Sequence, residues 1–307
     1  MAAFQNIGVN DYFKRYGLKY GIQRGVFTAF PFHFVNDYEN RKVLYYRKIY
    51  KKLKNKYSAW MECDPIGIKF GDQKVNNPIW VYWKQGIENA PEIVRCCIES
   101  ICKHATNQVI VLSEDSSKEY VEFPSYVLKK MDEGAMSAAA YSDLLRFSLL
   151  EHFGGTWIDA TVFLTDDLPT YITESDFFAY QDTFGTIYNP AQISNWLLHC
   201  KSGSKVMKYT RNMAFQYWKE ENYVIEYLFT YILLQIALEA DKDNLKNMPY
   251  ANSDYCHLLL DHLDLPFNEK QYEHIKELSN VHKLTYKLYE NVITDKNNFY
   301  NKLVREK

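Results

Sequence analysis

Two pairs of polar side chains stand close together in the sequence, one on each side of a glycine pair. Asp143 and Arg146 are three residues apart in an apolar stretch, so on a helix they share one face. If that face lined a cleft, the guanidinium could bind an anionic ligand and the carboxylate could accept hydrogen bonds from hydroxyls. The alternative is an ion pair on a helix surface, worth about 0.5 kcal/mol.

The second pair, Asp159 and Thr161, lies in the run HFGGTWIDATVFL at residues 152–164. Alternation along a strand places both side chains on one face. A carboxylate at the carboxyl end of a sheet is a usual position for a ligand or a cation, and two carboxylates would bind Mn²⁺ or Mg²⁺ bridging a diphosphate. One carboxylate and one hydroxyl form a weaker ligand set. The residues alone therefore leave Asp159 as either a functional or a structural acid.

Residues 280–287, NVHKLTYK, form a third polar group. His282 could bind a cation or donate a hydrogen bond to a diphosphate, since the usual pKa of histidine lies near neutrality. Lys283 and Lys287 could neutralise phosphate charge, and Thr285 adds a hydroxyl. An ordinary polar loop explains the same residues.

The elements that would position these groups follow an α/β pattern. Short β-branched and aromatic runs at 79–83 and 108–113 predict strands, and the amphipathic stretch 90–105 between them predicts a helix. This order predicts a parallel unit whose helix crosses the sheet. Residues 138–153 predict another helix, which Gly154 ends in a left-handed conformation before the next strand begins.

The apolar periods in the rest of the chain predict further elements of the same body. The run 224–240 is long and apolar, but Glu226 interrupts it, so it predicts a buried helix and not a membrane span. The other elements are strands or strand–helix junctions at 176–182 and 191–200, a helix at 202–222 with a capping serine, and a polar helix at 268–278.

The N-terminal segment differs from the body in charge. Residues 1–60 carry twelve Lys and Arg and three acidic residues, a net charge of +9, whereas the rest of the chain carries −11. The pattern predicts irregular chain at 1–30, a helix at 39–61 and a linker at 64–78. A basic, aromatic-rich segment suggests an anionic surface as partner, and a bilayer fits better than a nucleic acid because no nucleic-acid motif accompanies the charge. A solvated helix face is the alternative.

The composition predicts a globular protein of the cytoplasm. Of the 307 residues, 47% are hydrophobic, which is enough for a sizeable core. The six cysteines form no CxxC pair and predict reduced thiols, and no signal peptide is visible. The charge and linker patterns divide the chain into a basic helical extension with its linker, residues 1–75, and a body, residues 76–307.

Four blocks of the body resemble a known family. They are IWVYWKQGIENAPEIVRCCIESICKHA, VIVLSE, YSDLLRFSLLEHFGGTWIDATVF and, later, VHKLTYK. Over residues 76–290 they resemble, in order, the capsular polysaccharide synthesis family of bacterial glycosyltransferases, which is related to the sugar transferases with a DXD motif. The resemblance implies a GT-A type α/β domain, with a Rossmann-like mixed sheet flanked by helices. It also implies transfer of a sugar from a nucleotide donor, usually a UDP-sugar.

The resemblance assigns roles to the residues singled out above. A Trp after the first strand stacks the nucleobase in relatives, and Trp83 matches that place. The helix residues that contact donor hydroxyls and the phosphate-linked sugar correspond to Asp143 and Arg146. The first Asp of the DXD motif, which contacts ribose, sugar and metal, corresponds to Asp159. Thr161 replaces the second Asp, which is the direct metal ligand in relatives.

Other parts of the chain complete the implied site. Asn195 lies in a segment similar to one that lines the sugar pocket of relatives, and a C-terminal loop closes the donor site there. The corresponding residues of that loop here are His282, Lys283, Thr285 and Lys287. The implied cofactor is a divalent cation, Mn²⁺ or Mg²⁺, with Asp159, Thr161 and His282 as its candidate ligands.

The resemblance thus implies a retaining glycosyltransferase of surface polysaccharide synthesis, acting at the inner face of the cytoplasmic membrane. It would move a hexose-type sugar to a glycan or a lipid-linked oligosaccharide. In relatives the leaving phosphate assists front-face attack, whereas a double displacement would need a residue such as Asp182 or Asn195. The alternatives are a non-catalytic sugar-nucleotide or glycan-binding protein on the same fold, and a structural adaptor with a membrane-binding end.

Overall fold

The computed structural model describes residues 8–29, 38–182 and 189–305. The strands, in chain order, are β1 (Lys69–Phe70), β2 (Ile79–Tyr82), β3 (Val109–Leu112), β4 (Val121–Glu122), β5 (Gly155–Ile158), β6 (Val162–Leu164), β7 (Phe177–Gln181), β8 (Ile193–Cys200) and β9 (Val281–Lys283). Five of these strands form one mixed sheet in the order β3–β2–β5–β8–β7.

Helices surround this sheet. They are α1 (Val9–Ala29), α2 (Tyr38–Tyr57), α3 (Glu92–His104), α4 (Ser125–Asp132), α5 (Ala138–Phe153), α6 (Thr170–Thr173), α7 (Lys205–Glu220), α8 (Phe229–Ala240), α9 (Lys242–Asn247), α10 (Asp254–His262), α11 (Glu269–Leu278), α12 (Glu290–Thr294) and α13 (Phe299–Arg305). The helices predicted at 39–61, 90–105, 138–153, 202–222 and 268–278 are confirmed as α2, α3, α5, α7 and α11. None of the described helices combines the length and the apolar character needed to cross a bilayer.

The sheet contains the predicted parallel unit. β2 pairs in parallel with β3, and α3 connects them. β5 also runs parallel to β2, whereas β8 is antiparallel to both β5 and β7. The predicted α/β class, a mixed sheet flanked by helices, is therefore confirmed. The carboxyl ends of β2 and β5 lie side by side, and Trp83 and Asp159 follow directly after them.

Two apolar clusters fill the space on either side of the sheet. Trp80 and Tyr82 of β2 belong to one cluster, whereas Ile79 and Val81 belong to the other. All residues of β2 and β5 are buried, because packed elements cover both faces of these strands. Close packing on both sides therefore fixes the strands whose ends carry the polar residues.

A tight glycine turn joins α5 to β5. Ser137 caps the start of α5 by accepting a hydrogen bond from the amide of Ala140. Gly154 ends the helix with the predicted positive φ, 69°, but its ψ of −161° is extended and not left-handed helical. Gly155 follows with a φ of 95°, and a Cβ there would lie 2.2 Å from the carbonyl oxygen of Pro78. Glycine is thus required for the close approach between this turn and Pro78, which precedes the neighbouring strand β2.

The N-terminal stretch is helical, so the prediction of irregular chain for residues 1–30 is wrong over the described part. α1 occupies it, with a non-helical residue inside it at Gly17, and the two ends of the predicted stretch lie outside the described residues. Tyr16 and Tyr20 are buried in the same apolar cluster as residues of α5, α7 and α8. Tertiary packing of these rings therefore stabilises α1 where the local sequence gives no clear helical period.

The predicted linker at 64–78 is docked on the body. β1, which lies within it, pairs antiparallel with β4. The Phe70 ring stacks on His152 with the ring centres 4.0 Å apart. α2 likewise packs in the same apolar cluster as α7 and α8. The division of the chain at residue 75 stays a prediction.

Several element boundaries differ from the predicted ones. β5 ends at Ile158, so Asp159 and Thr161 lie in the turn before β6 and not on a strand. α8 begins at Phe229, whereas the helix was predicted from residue 224. β9 lies within the predicted polar loop and pairs with β6. The uncertain segments before α7 are strands, β7 and β8.

Candidate functional site

The carboxyl ends of β2 and β5 face a pocket of about 480 Å³. A volume of this size is typical of small-molecule sites. The lining comes from the last residue of β2 and the three that follow it (82–85), the first half of α5, the turn 159–161, residues between 224 and 231, and residues 283–287. The predicted residues that line it are Trp83, Asp143, Arg146, Asp159, Thr161, Asn195, Lys283, Thr285 and Lys287, and they are joined by Arg15, which was not predicted.

Arg146 lies at the centre of the polar contacts in this pocket. Its side chain is 5% exposed and lies over the ring of Trp157 at 4.9 Å. Nη2 donates to Asp159 Oδ1 at 2.9 Å, and Nη1 donates to the main-chain carbonyl of Asn195 at 2.6 Å. Nη1 also lies 3.3 Å from Asp143 Oδ1. One guanidinium therefore holds the carboxylate of α5 and the carboxylate that follows β5.

Asp143 accepts hydrogen bonds from neutral donors as well. Asn195 Nδ2 donates to its Oδ1 at 3.1 Å, and Thr230 Oγ1 donates to its Oδ2 at 3.0 Å. Burial raises the pKa of Asp143 to about 6, although the charge of Arg146 opposes this. Asn195 is 4% exposed and its amide also contacts the Thr230 hydroxyl at 3.1 Å, so Asn195 is a positioning residue for Asp143.

Asp159 accepts from protein donors on both of its carboxylate oxygens. Besides Arg146, Trp157 Nε1 donates to Oδ1 at 2.9 Å, and Lys283 Nζ lies 3.3 Å from Oδ2. The same lysine donates to Thr161 Oγ1. Burial raises the pKa of Asp159, but the charges of Arg146 and Lys283 outweigh it, so the pKa lies below its ordinary value. Asp159 is thus ionised at neutral pH, and the Lys283 ammonium bridges it to Thr161.

These contacts bear on the implied divalent cation, which needs several available oxygen ligands. Both oxygens of Asp159 accept from arginine, tryptophan or lysine donors, and the Thr161 hydroxyl accepts from Lys283. An ammonium therefore stands between the two candidate ligands. In this arrangement the oxygen atoms of Asp159 and Thr161 are taken up by hydrogen bonds, and this set of ligands does not fit a divalent cation.

His282 lies outside the pocket lining, although the implied site includes it. It is fully buried in β9, and alternation along the strand sends its side chain to the opposite side from Lys283. Its Nε2 lies 3.2 Å from Thr165 Oγ1, and burial lowers the pKa of His282 to about 4. The structure therefore places a neutral imidazole in the core and only the lysine of this pair at the site.

Two other groups also lie elsewhere. Asp182, the acid considered for a double displacement, does not line the pocket, and its carboxylate accepts from the Ser253 hydroxyl. Among the residues that the structure describes, His104, Asp166 and Asp167 come close enough together to hold a metal ion. Both of those aspartates are exposed, and all three residues lie outside the pocket lining.

Three buried donors in the pocket wall have no partner among the described residues. They are the Tyr82 hydroxyl, Trp83 Nε1 and Arg146 Nε. The Trp83 ring is half-buried and meets Tyr286 edge to face at 5.1 Å. Buried polar atoms of native proteins are nearly always hydrogen-bonded, so these three donors are exceptions in the pocket wall.

Comparison with known proteins shows which family has this architecture. Residues 31–303 match the model of the family described as capsular polysaccharide synthesis protein. The chain belongs to this family. The predicted resemblance is thus confirmed, and the match extends beyond residues 76–290 to include α2 and the docked linker.

One solved structure to which this family member is similar is described as PaToxG Glycosyltransferase. The two chains are 14% identical, with a TM-score of 0.41, and the similarity covers 66% of this chain and 81% of that chain. No curated protein sequence matches this chain.

Sequence reasoning missed several lining residues of this family member. Thr230 and Tyr231 lie in the first turn of α8, where the apolar pattern indicated only a buried helix. Arg15 lies in α1, where no helix was predicted. The sequence did contain one signal of a contact with this run, because a charged residue in an apolar run needs a partner elsewhere in the chain. That charge is Glu226, which is 1% exposed and forms an ion pair with Arg24 of α1 at 2.8 Å.

Proposed function

We propose that this member of the capsular polysaccharide synthesis family is a glycosyltransferase, which moves a sugar from a nucleotide-sugar donor to a glycan acceptor. The observation that carries the proposal is the polar cluster in the pocket. There, Arg146 holds Asp143 and Asp159 beside the carboxyl ends of two parallel strands. Family membership supports the role in capsule synthesis.

The pocket offers a separate contact for each part of such a donor. The exposed part of the Trp83 ring can stack a nucleobase, for which we propose uracil. Asp143 and Asp159 can accept hydrogen bonds from the hydroxyls of a hexose. The basic side chains that line the pocket can stabilise the charge that develops on the departing diphosphate.

We also propose that transfer retains the anomeric configuration without a covalent sugar–enzyme intermediate. Of the described lining residues, only Asp143 and Asp159 carry carboxylates. Both are held by hydrogen bonds from several donors, which lowers their reactivity as nucleophiles. This supports front-face attack by the acceptor hydroxyl, in which positioning and charge stabilisation do the catalytic work.

Substitution of Asp159 and Arg146, the two charged residues at the centre of the polar cluster, tests the proposal. Nucleotide release from a panel of UDP-sugars, with capsular glycan fragments as acceptors, should fall by about 10²-fold or more in Asp159→Asn and Arg146→Ala. Asp132→Asn, which removes an exposed charge at the end of α4, should keep full activity. Full activity of both site variants would contradict the proposal. Donor binding without any transfer would instead favour the non-catalytic sugar-nucleotide-binding protein.

We propose that Lys283 supplies positive charge where relatives with two aspartates hold a metal. Its contacts with Asp159 and Thr161 support this role. Wild-type turnover should then survive a chelator, whereas Lys283→Ala should lose about 10²-fold in kcat and partly recover with Mn²⁺. Lys270→Ala, which removes an exposed charge of α11, is the matched control. Loss of wild-type activity in chelator, with recovery on adding Mn²⁺, would restore the divalent cation as the cofactor.

A further inference from the structure

α1 is attached to a segment that forms one wall of the pocket. The carbonyl of Arg15 accepts a hydrogen bond from the amide of Val224 at 3.2 Å, and Arg24 pairs with the buried Glu226. The kink at Gly17 has a φ of 61°, and a Cβ there would lie 2.8 Å from the ring of Tyr223. The helix is thus fixed to residues 223–226 at three points, and Val224 itself lines the pocket.

This attachment brings the side chain of Arg15 to the pocket lining. Arg15 is half-buried, and its guanidinium carbon lies 5.4 Å from the centre of the Tyr227 ring. Within the described part of the chain, no carboxylate lies within ion-pair distance of it. An arginine stacked on an aromatic ring beside a polar pocket keeps its donor fork available for an oxyanion.

The other basic residues of the pocket fall into two groups. Arg146 and Lys283 pair with the pocket carboxylates, and Lys84 lies 3.5 Å from Glu114. Lys287, like Arg15, has no carboxylate partner among the described residues. Partial desolvation by the surrounding protein lowers the pKa of Lys287, and the positive charge of Arg15 lowers this pKa further. Two like charges therefore face the same space, which is unfavourable unless an anion enters it.

We propose that Arg15 binds the diphosphate of the nucleotide-sugar donor together with Lys287, so that the N-terminal helix α1 completes the donor site. This inference rests on the proposed glycosyltransferase function. It assigns to the basic N-terminal segment a role inside the catalytic pocket. Two cations without carboxylate partners among the described residues match the two negatively charged phosphates of such a donor.

Calorimetric titration of the full chain with UDP and with uridine tests this role. Arg15→Gln keeps much of the side-chain length and some hydrogen-bonding capacity but removes the charge, so UDP should bind at least about tenfold more weakly. Uridine has no phosphate, so its affinity should stay within twofold, roughly, of the wild-type value. Lys14→Gln removes the neighbouring exposed charge, which does not line the pocket, and should change neither affinity.

The outcomes separate this inference from the proposed function. Unchanged UDP affinity in Arg15→Gln, with the wild type binding UDP, overturns the role of Arg15 and leaves the glycosyltransferase standing. Weaker binding of UDP and uridine alike also overturns it, because the loss then comes from displacement of α1 and not from the missing charge. Failure of the wild type to bind any nucleoside diphosphate overturns the proposed function, and the role of Arg15 with it.

Discussion

At the scale of single residues, the two pocket carboxylates have opposite pKa shifts although one guanidinium holds both. Asp159 has a second cation beside it, Lys283, and its pKa lies below the ordinary value. Asp143 receives only neutral donors besides Arg146, so burial prevails and its pKa is about 6. The site thus combines a fixed charge with one that titrates near neutral pH, an arrangement that is common in active sites.

This difference predicts the pH dependence of turnover. Below about pH 6 we expect kcat/KM to fall about tenfold per pH unit, because a protonated Asp143 loses its ion pair with Arg146. A pH profile of nucleotide release measures this, and Asp143→Asn should be less active at neutral pH and lack the acid limb. A wild-type profile without a limb near pH 6 would count against the assignment.

The same shift has the opposite consequence for folding. The native protein holds the Asp143 proton more tightly than the unfolded chain, whose carboxyl has its ordinary pKa of 3.8. The contribution of Asp143 to the free energy of unfolding therefore falls as pH rises from about 4 to about 6 and is constant above that. As the pH rises from about 4 to about 6, ionisation of Asp143 therefore lowers the stability and raises the activity.

How far single residues could be predicted depended on how local their signals are. The Asp143–Arg146 pair and Asp159 stand in one specific block, so spacing and resemblance were enough. His282 was misplaced because the strand pairing that turns it inward involves β6, more than a hundred residues earlier in the chain. Arg15 was missed because its place depends on contacts such as Arg24–Glu226, which join residues 202 positions apart.

At the scale of elements, the α5–β5 unit is the part that local signals determine most completely. The predicted bounds of α5 are those of the structure, since a capping serine begins it and a glycine ends it. α1 and the first turn of α8 lack such signals. Buried tyrosines stabilise α1. The non-helical segment before α8 contains Glu226, whose ion pair with Arg24 attaches this segment to α1.

The glycine turn gives a prediction about stability. Gly155→Ala should lower the free energy of unfolding by about 3 kcal/mol, because the methyl group meets the Pro78 carbonyl and the φ is positive. Gly134→Ala is the matched control, since its φ is 71° and open space surrounds the added Cβ. That variant should lose only about 1 kcal/mol. Urea unfolding measures both, and equal losses would show that steric contact at Gly155 is unimportant.

At the scale of the whole molecule, the basic N-terminal segment is partly neutralised by the acidic body. Lys54 of α2 lies 3.0 Å from Glu239, and Lys56 lies 2.7 Å from Glu220 and also pairs with Glu221. Part of the net charge of +9 is therefore used in docking α1 and α2. The remaining exposed basic side chains are the candidates for contact with an anionic membrane, the partner that the charge pattern predicts.

We expect these exposed residues to give a weak, salt-sensitive affinity for anionic lipid. Each basic side chain near such a surface contributes about 1 kcal/mol. The double variant Lys14→Glu, Lys51→Glu should therefore sediment with phosphatidylserine vesicles at least about tenfold less than the wild type. Lys270→Glu reverses an exposed charge in the C-terminal part of the chain, and this control variant should sediment as the wild type does. If the wild-type protein does not sediment with phosphatidylserine vesicles, an anionic membrane surface is ruled out as its partner.

The pairing of β9 with β6 also has a consequence for the order of folding. The Lys283–Thr161 contact closes a loop of 122 residues, and contacts over such separations form late because the chain must first lose loop entropy. Until β9 docks, Asp143 and Asp159 share a single counter-charge in Arg146. Lys283 therefore joins these two carboxylates, beside Asp159, only when β9 has paired with β6. The proposed nucleotide-sugar donor would then bind only the complete fold and would add to its stability by mass action.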